Sequence, residues 1–164
     1  MQRTHRQSLR SFLFAAELDI VSGRREIVRR VLRLARYIWA APATIVGLSL
    51  AALACLFGAT VRVREGVVEV AGGRLAAFAR SAPQSIQFIA ITFGHVVLGL
   101  SHAVLAQERA HEHVHVRQYE RWGVLFFPLY LGSSALQLAR GRHPYWHNWF
   151  ERCAFSHGVP ESAR

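Results

Sequence analysis

The residues best suited to chemistry lie in one stretch, "RAHEHVHVRQYERWG", residues 109–123. Three histidines occupy alternate positions in a run whose Ala, Gln, Glu and Arg otherwise favour helix. At about 100° per residue, His111 and His115 fall on one face, one turn apart, with Gln118 and Trp122 on the same side. His113 points elsewhere and reads as a bystander. His111-Glu112-x-x-His115 is the two-histidine half of a zinc hydrolase site. Two imidazoles one turn apart can grip a single ion, and Zn²⁺ brings the pKa of bound water to about 7. Glu112, beside the pair, is the candidate general base. Gln118 and Tyr119, a turn beyond His115, are candidates to orient its ring. A chain of this composition yields about 0.03 such matches by chance, a figure that clustering of histidine raises. The competing reading is a wet surface histidine cluster.

A catalytic zinc site needs a third protein ligand and one open position. Glu151, His143, His147, His157 and Glu120 are the candidates. Pro144 disfavours helix at His143, so "HPYWH" does not place His143 and His147 on one face. Glu120 faces away from the histidine pair. Asn148 can cap a short helix that carries Glu151 at its third position. The residues alone separate Glu151 from His147 only narrowly. Cys153 is near, but a thiolate is an unusual companion for two histidines and a carboxylate. With Cys55 so distant, the two cysteines imply neither a disulfide framework nor a cysteine zinc site.

The elements around this stretch are those of a membrane protein. The chain has 164 residues and a formal charge of +10; all twenty cationic side chains are Arg, nine of them within residues 1–36. That asymmetry suits anionic lipid head groups. It comes without the interleaved aromatics of a nucleic-acid surface, so no nucleic-acid partner is expected. Residues 37–60 carry no charge; at about 36 Å of helix they are long enough to span a bilayer, with Tyr37 and Trp39 at the edge where aromatic belts occur. The Arg bias places the N-terminus in the cytoplasm. Within residues 24–36, Arg25, Arg29, Arg33 and Arg36 form one stripe and Ile27, Val31 and Leu34 the other, as in a helix lying on a membrane surface. Residues 9–19 read as a further short helix and residues 1–8 as loose.

Beyond the span, "VRVREGVVEV" alternates around Glu65-Gly66 and predicts a β-hairpin. "RLAAFAR" is ambiguous and "SAPQS" a loop. "IQFIAITFGHVVLGL", 86–100, reads as strand from its β-branched content, with a second membrane helix as the alternative.

The run "AITFGHVVL", then "AHEHVHVRQYERWG" and later "NWFER", resembles the minimal zincin metallopeptidases of bacteria. It is most similar to an uncharacterised bacterial membrane-protein family with a His-Glu-x-x-His-Val-Arg-Gln-Tyr-Glu-Arg-Trp-Gly signature and a downstream Asn-Pro-Phe-Glu-Arg. The likeness covers about Trp39 to Cys153. It implies a location in the bacterial inner (plasma) membrane and Glu151 as third ligand. It also implies that the strand around Thr92–Val97 lies beside the site and aligns an extended peptide substrate, with Thr92 and His95 as contacts. The chain departs from the pattern at His113, in place of an apolar residue, and at Val124 and Trp149, each in place of Pro.

The expected fold is α+β. An Arg-rich amphipathic arm (1–36) and a transmembrane helix (37–60) precede a zincin-like module (61–158), formed by a small β-meander, the histidine helix and a C-terminal helical segment; a tail (159–164) follows. Residues 122–139 are apolar and lie between the histidine pair and Glu151. A crossing of about 27 Å would part those ligands, so the zinc reading requires the segment to fold back or dip into the interface. Pro128 and "LGSS" are possible breaks. A plain second span with an incidental histidine cluster is the rival arrangement.

Overall fold

The computed structural model describes residues 2–81 and 89–157, with side chains for all of these except 2–23, 79, 80 and 157. The loop expected over 81–85, the first residues of the 86–100 strand and the tail therefore lie mainly outside the described residues. The fold is α+β. The chain divides into two compact units, residues 1–38 and 39–164.

Helix α1 runs from Gln2 to Leu56 without interruption. The loose N-terminus, the separate short helix and the amphipathic arm expected from the sequence are all parts of this one helix. The backbone tolerates this because no proline occurs before Pro42. In the first unit, Ile27, Val31 and Leu34 are 60–63 % exposed, so the apolar stripe has no cover there. Arg30 pairs with Glu26 one turn earlier, at 3.0 Å.

The second unit is built in layers. Strands β1 (Ala59–Arg64) and β2 (Val67–Gly72) form the expected hairpin around Glu65-Gly66. Helix α2 covers Leu75–Ser81. The stretch read as one strand is two, β3 (Ala90–Phe93) and β4 (Val96–Gly99), because Gly94 takes a left-handed turn at φ 59°. The order is β1-β2-β4-β3, with β2 and β4 parallel. This is two hairpins joined side by side, not a meander. The second hairpin can enter parallel to the first because the chain passes through α2 before β3.

Both faces of the sheet are covered, which is why "VVEVAG" and "VVLG" are almost continuously buried. One face packs Val70, Val96 and Leu98 on Ala51 and Ala54 of α1. The other packs Val67, Ala71 and Val97 on Leu105 and Val116 of α3 (His102–Trp122). Glu69 points the same way and takes Arg109 of α3 in a two-pronged pair, at 2.6 and 3.2 Å. Arg109 holds the Glu69 carboxyl below its usual range, against the opposing effect of burial.

The sequence assigned residues 37–60 to a lipid-surrounded span. The helix ends at Leu56, and residues 59–60 already belong to β1. Small residues of α1, among them Ala40, Gly47, Ala51 and Ala54, are buried, while Ile45, Val46, Leu48 and Leu53 are exposed. A Cβ on Gly47 would stand 2.7 Å from Val96 Cβ and 2.9 Å from the Phe93 carbonyl. Small side chains let the helix lie directly on the sheet, and its large apolar side chains are left exposed on the opposite face. Two segments, Arg24–Leu56 and His102–Ala139, are long and apolar enough to cross a membrane.

Gly47→Val is expected to lower stability by about 2 kcal/mol through overpacking, whereas Leu48→Ala on the exposed face should change it by less than about 0.5 kcal/mol. Thermal unfolding in detergent checks both; equal midpoints for the two variants would contradict the packing described.

Candidate metal centre

Ser101 caps the start of α3, its hydroxyl accepting from the Val104 amide at 3.2 Å. The helix carries Glu112 and His115 into the interior, with His111 at the edge of solvent. After a 3₁₀ turn (Gly123–Leu125), α4 (Phe126–Ala139) leads outward and the chain returns through residues 140–148 to α5 (Trp149–His157). Asn148 is fully buried and caps α5, accepting from the Phe150 amide at 2.9 Å. Its amide donates to the Tyr130 carbonyl and to Ser134 Oγ, at 3.0 and 2.7 Å. The return loop is thereby fastened to α4. Pro128 sits in the first turn of α4, and Gly132-Ser133-Ser134 lies inside the helix instead of breaking it. There the serine hydroxyls serve the loop: Ser134 donates to the Pro144 carbonyl and Ser133 accepts from the Trp149 amide.

This path brings His111, His115 and Glu151 together. The two Nε2 atoms are 3.2 Å apart. Glu151 Oε2 lies 3.2 Å from His111 Nε2, and Oε1 lies 3.5 Å from His115 Nε2. Ligands at 2.0–2.1 Å from a tetrahedral Zn²⁺ stand about 3.3 Å from one another. The spacing is that of atoms arranged around a shared ion. The rival two-span arrangement would separate these groups, and it does not fit contacts of this length.

The donors are also prepared for a cation. His115 Nδ1 lies 2.9 Å from Gln118 Oε1. The Gln118 amide nitrogen donates to the Phe150 carbonyl at 3.0 Å, which fixes the amide so that its oxygen faces the imidazole. Nδ1 therefore carries the proton, and the Nε2 lone pair turns toward His111 and Glu151. With the Nε2 atoms unprotonated, Glu151 Oε2 is left buried with lone pairs to satisfy, 3.2 Å from His111 Nε2. The group could hold a metal ion.

Burial alone would push the Glu151 carboxyl up. When both imidazoles carry a proton on Nε2, their hydrogen bonds and charge, with the Tyr130 hydroxyl, outweigh burial and hold it far below the usual carboxylate range. Burial would likewise depress His115, but Glu151, helped by Glu112 and Gln118, leaves its pKa raised. Glu112 is shifted upward, chiefly by burial, against the lowering effects of His115, of the Thr92 hydrogen bond and of His111. Thr92 Oγ1 donates to Glu112 Oε2 at 2.5 Å. A buried carboxylate of raised pKa can take and return a proton.

Comparison of the chain with family models, curated proteins and solved structures gave no match. The assignment of the centre rests on its geometry.

Of the remaining candidates, Gln118 contacts the His115 ring and Thr92 contacts Glu112. Tyr119 does not join them: it packs on Phe126 with ring centroids 4.2 Å apart, in a cluster with Ala40 and Phe150. His95 lies against Glu120 and Thr44, at 3.3 and 3.4 Å. Its position in the Gly94 turn docks the hairpin on α1, where Thr44 Oγ1 also accepts the His95 amide at 3.1 Å. His147 is exposed, and His143 turns inward on its own loop to accept from the Tyr145 and Trp146 amides. His113 faces Glu65 at 3.4 Å. The described metal-ligand group contains neither these side chains nor Cys153.

Two residues escaped the sequence reading, and one is Tyr145 of the return loop, whose phenol is pushed up first by burial and then by the Glu151 carboxylate beside it. The other is Tyr130 in α4, which donates its hydroxyl to Glu151 Oε1 at 2.7 Å and so holds that carboxylate in place. The available signal was a single phenol in the apolar stretch "FFPLYL" between the two halves of the site.

Gln118→Ala is expected to weaken metal affinity about 10–100-fold while leaving one ion per chain at saturation. Competition with a chelator measures this. Metal affinity should also fall as pH drops below the raised pKa of His115, by about tenfold per pH unit for each imidazole proton displaced. Glu151 stays ionised over that range and adds no slope. A flat profile between pH 5 and pH 8, measured by isothermal titration at about those limits, would contradict the role of His115.

Proposed function

We propose that this chain is a membrane-anchored zinc metallopeptidase of the zincin kind. The observation that carries the reading is the triangle of two imidazole nitrogens and one carboxylate at 3.2–3.5 Å, with a second carboxylate, Glu112, among the groups around it. Two nitrogens and one oxygen suit Zn²⁺, and three protein ligands leave one coordination position for chemistry. Zinc there would polarise a scissile carbonyl and acidify water.

The chain's own residues supply the rest. Glu112 accepts a proton from the attacking water and returns it to the departing amine. Thr92 holds one oxygen of that carboxylate. Gln118 and Tyr130 keep His115 and Glu151 in place. Strand β3 ends the sheet, and its outer edge can pair with an extended peptide. Only the β3 half of the Thr92–Val97 stretch serves this reading, since β4 is enclosed between β2 and β3. The exposed face of α1 anchors the module in the bacterial inner membrane, with the Arg-rich N-terminus on the cytoplasmic side. The resemblance of "AHEHVHVRQYERWG" and "NWFER" to the minimal zincins points the same way.

Glu112→Gln is expected to retain zinc at wild-type stoichiometry and to lose peptide hydrolysis by at least about a hundredfold. Elemental analysis and cleavage of a mixed peptide pool, run on the same preparation, provide the check. Full zinc loading in wild type without hydrolysis would favour a metal-binding protein that is not an enzyme.

A further inference from the structure

Helix α4 has a single polar stripe. Tyr130, Ser133, Ser134 and Gln137 recur at helical spacing, and the first three of them bond the return loop or Glu151. Phe126 at its start is buried, and beyond it the apolar side chains are uncovered: Phe127, Leu131, Leu136 and Leu138 are each 48–65 % exposed. At 14 residues, or about 21 Å, α4 is too short to cross about 30 Å of hydrocarbon. The helices before and after it, α3 and α5, also bring His111, His115 and Glu151 together on one side.

Exposed Arg140 and Arg142 stand at the far end of the helix. Next comes an aromatic cluster: Trp146 stacks on Phe155 at 5.4 Å, and Tyr145 meets both rings. Trp146 and Trp149 are more than half exposed. Phe155 also lies 4.7 Å from the His111 ring. The cluster is thus continuous with a proposed ligand. An exposed apolar helix face next to exposed Trp side chains and two arginines is the combination that suits the hydrocarbon boundary and the head groups of an anionic membrane.

We propose that α4 and residues 140–149 are a second membrane contact, independent of α1. The helix lies in the outer hydrocarbon of one leaflet, and the arginines and aromatic rim sit at its anionic head groups. Combined with the metallopeptidase reading, this makes the substrate class peptide segments at the membrane surface.

The test uses the full chain in phosphatidylcholine–phosphatidylglycerol vesicles, with Cys55 and Cys153 replaced by Ser and one spin label per protein. Labels at Phe127→Cys, Leu138→Cys, Trp146→Cys and Gln107→Cys are compared by collision with oxygen and with a water-soluble nickel complex. Position 107, a polar and exposed residue of α3, is the aqueous reference. The expected result is an oxygen-to-nickel ratio that rises at 127 and 138, is intermediate at 146 and is lowest at 107. Arg140→Glu with Arg142→Glu, or omission of phosphatidylglycerol, should shift 146 toward the aqueous value. Aqueous values at 138 and 146 would overturn the proposal and leave the rim as a peptide-side surface. Labels 127 and 138 found on opposite sides of the bilayer would overturn it as well. Zinc content measured on the same samples reports on the metal centre separately, so each reading can fail alone.

Discussion

The structure turns on two imidazole nitrogens and a carboxylate held within hydrogen-bonding distance of one another, away from bulk water. Lone pairs that face each other in a buried space repel unless a proton or a cation lies between them. Keeping them there requires support from outside the ligands. Gln118 spans the gap, one end of its amide on His115 and the other on the backbone next to Glu151. Tyr130 holds the carboxylate from the third side. Asn148, buried under α4, fixes where α5 begins and hence the height of Glu151 along it.

The rest of the second unit holds α3 against these demands. The sheet gives the histidine helix a flat bed, and Glu69 with Arg109 fixes its place along β2. The guanidinium matters here, because two parallel hydrogen bonds orient the helix as well as attract it. On the opposite face, α1 replaces the second layer of helices that a larger α+β protein would use. Its small residues meet the sheet and its large ones face outward, so one helix closes the core with one face and leaves the other apolar and exposed.

Much of this was legible in the chain. The helical spacing of His111 and His115 required a shared face. The Asn148 cap set Glu151 in the first turn of α5, and Glu65-Gly66 marked a hairpin. The continuity of α1 was not legible. A change from Arg-rich to uncharged composition looks like a boundary, yet helix propensity does not change across it. The docking of α1 on the sheet was hidden for a related reason. Alanine, threonine and glycine suit a lipid-facing helix and a close contact with protein equally well, and only the partner surface distinguishes them. Strand 86–100 was misread because β-branched residues continue through Gly94, and one left-handed residue suffices to reverse the chain. The pairing of His95 with Glu120 joins residues far apart in sequence, so no local pattern could announce it.

The hydroxyl of Thr92 rests on Glu112, while its neighbours Ile91 and Phe93 pack toward α1. Side chains of a strand alternate, so this arrangement has a parity. One residue inserted or deleted between Thr92 and the Gly94 turn would rotate the hydroxyl away from the carboxylate and set a large ring in its place. The spacing between that threonine and that glycine is therefore a fixed length, and the hairpin measures it out for the glutamate beneath.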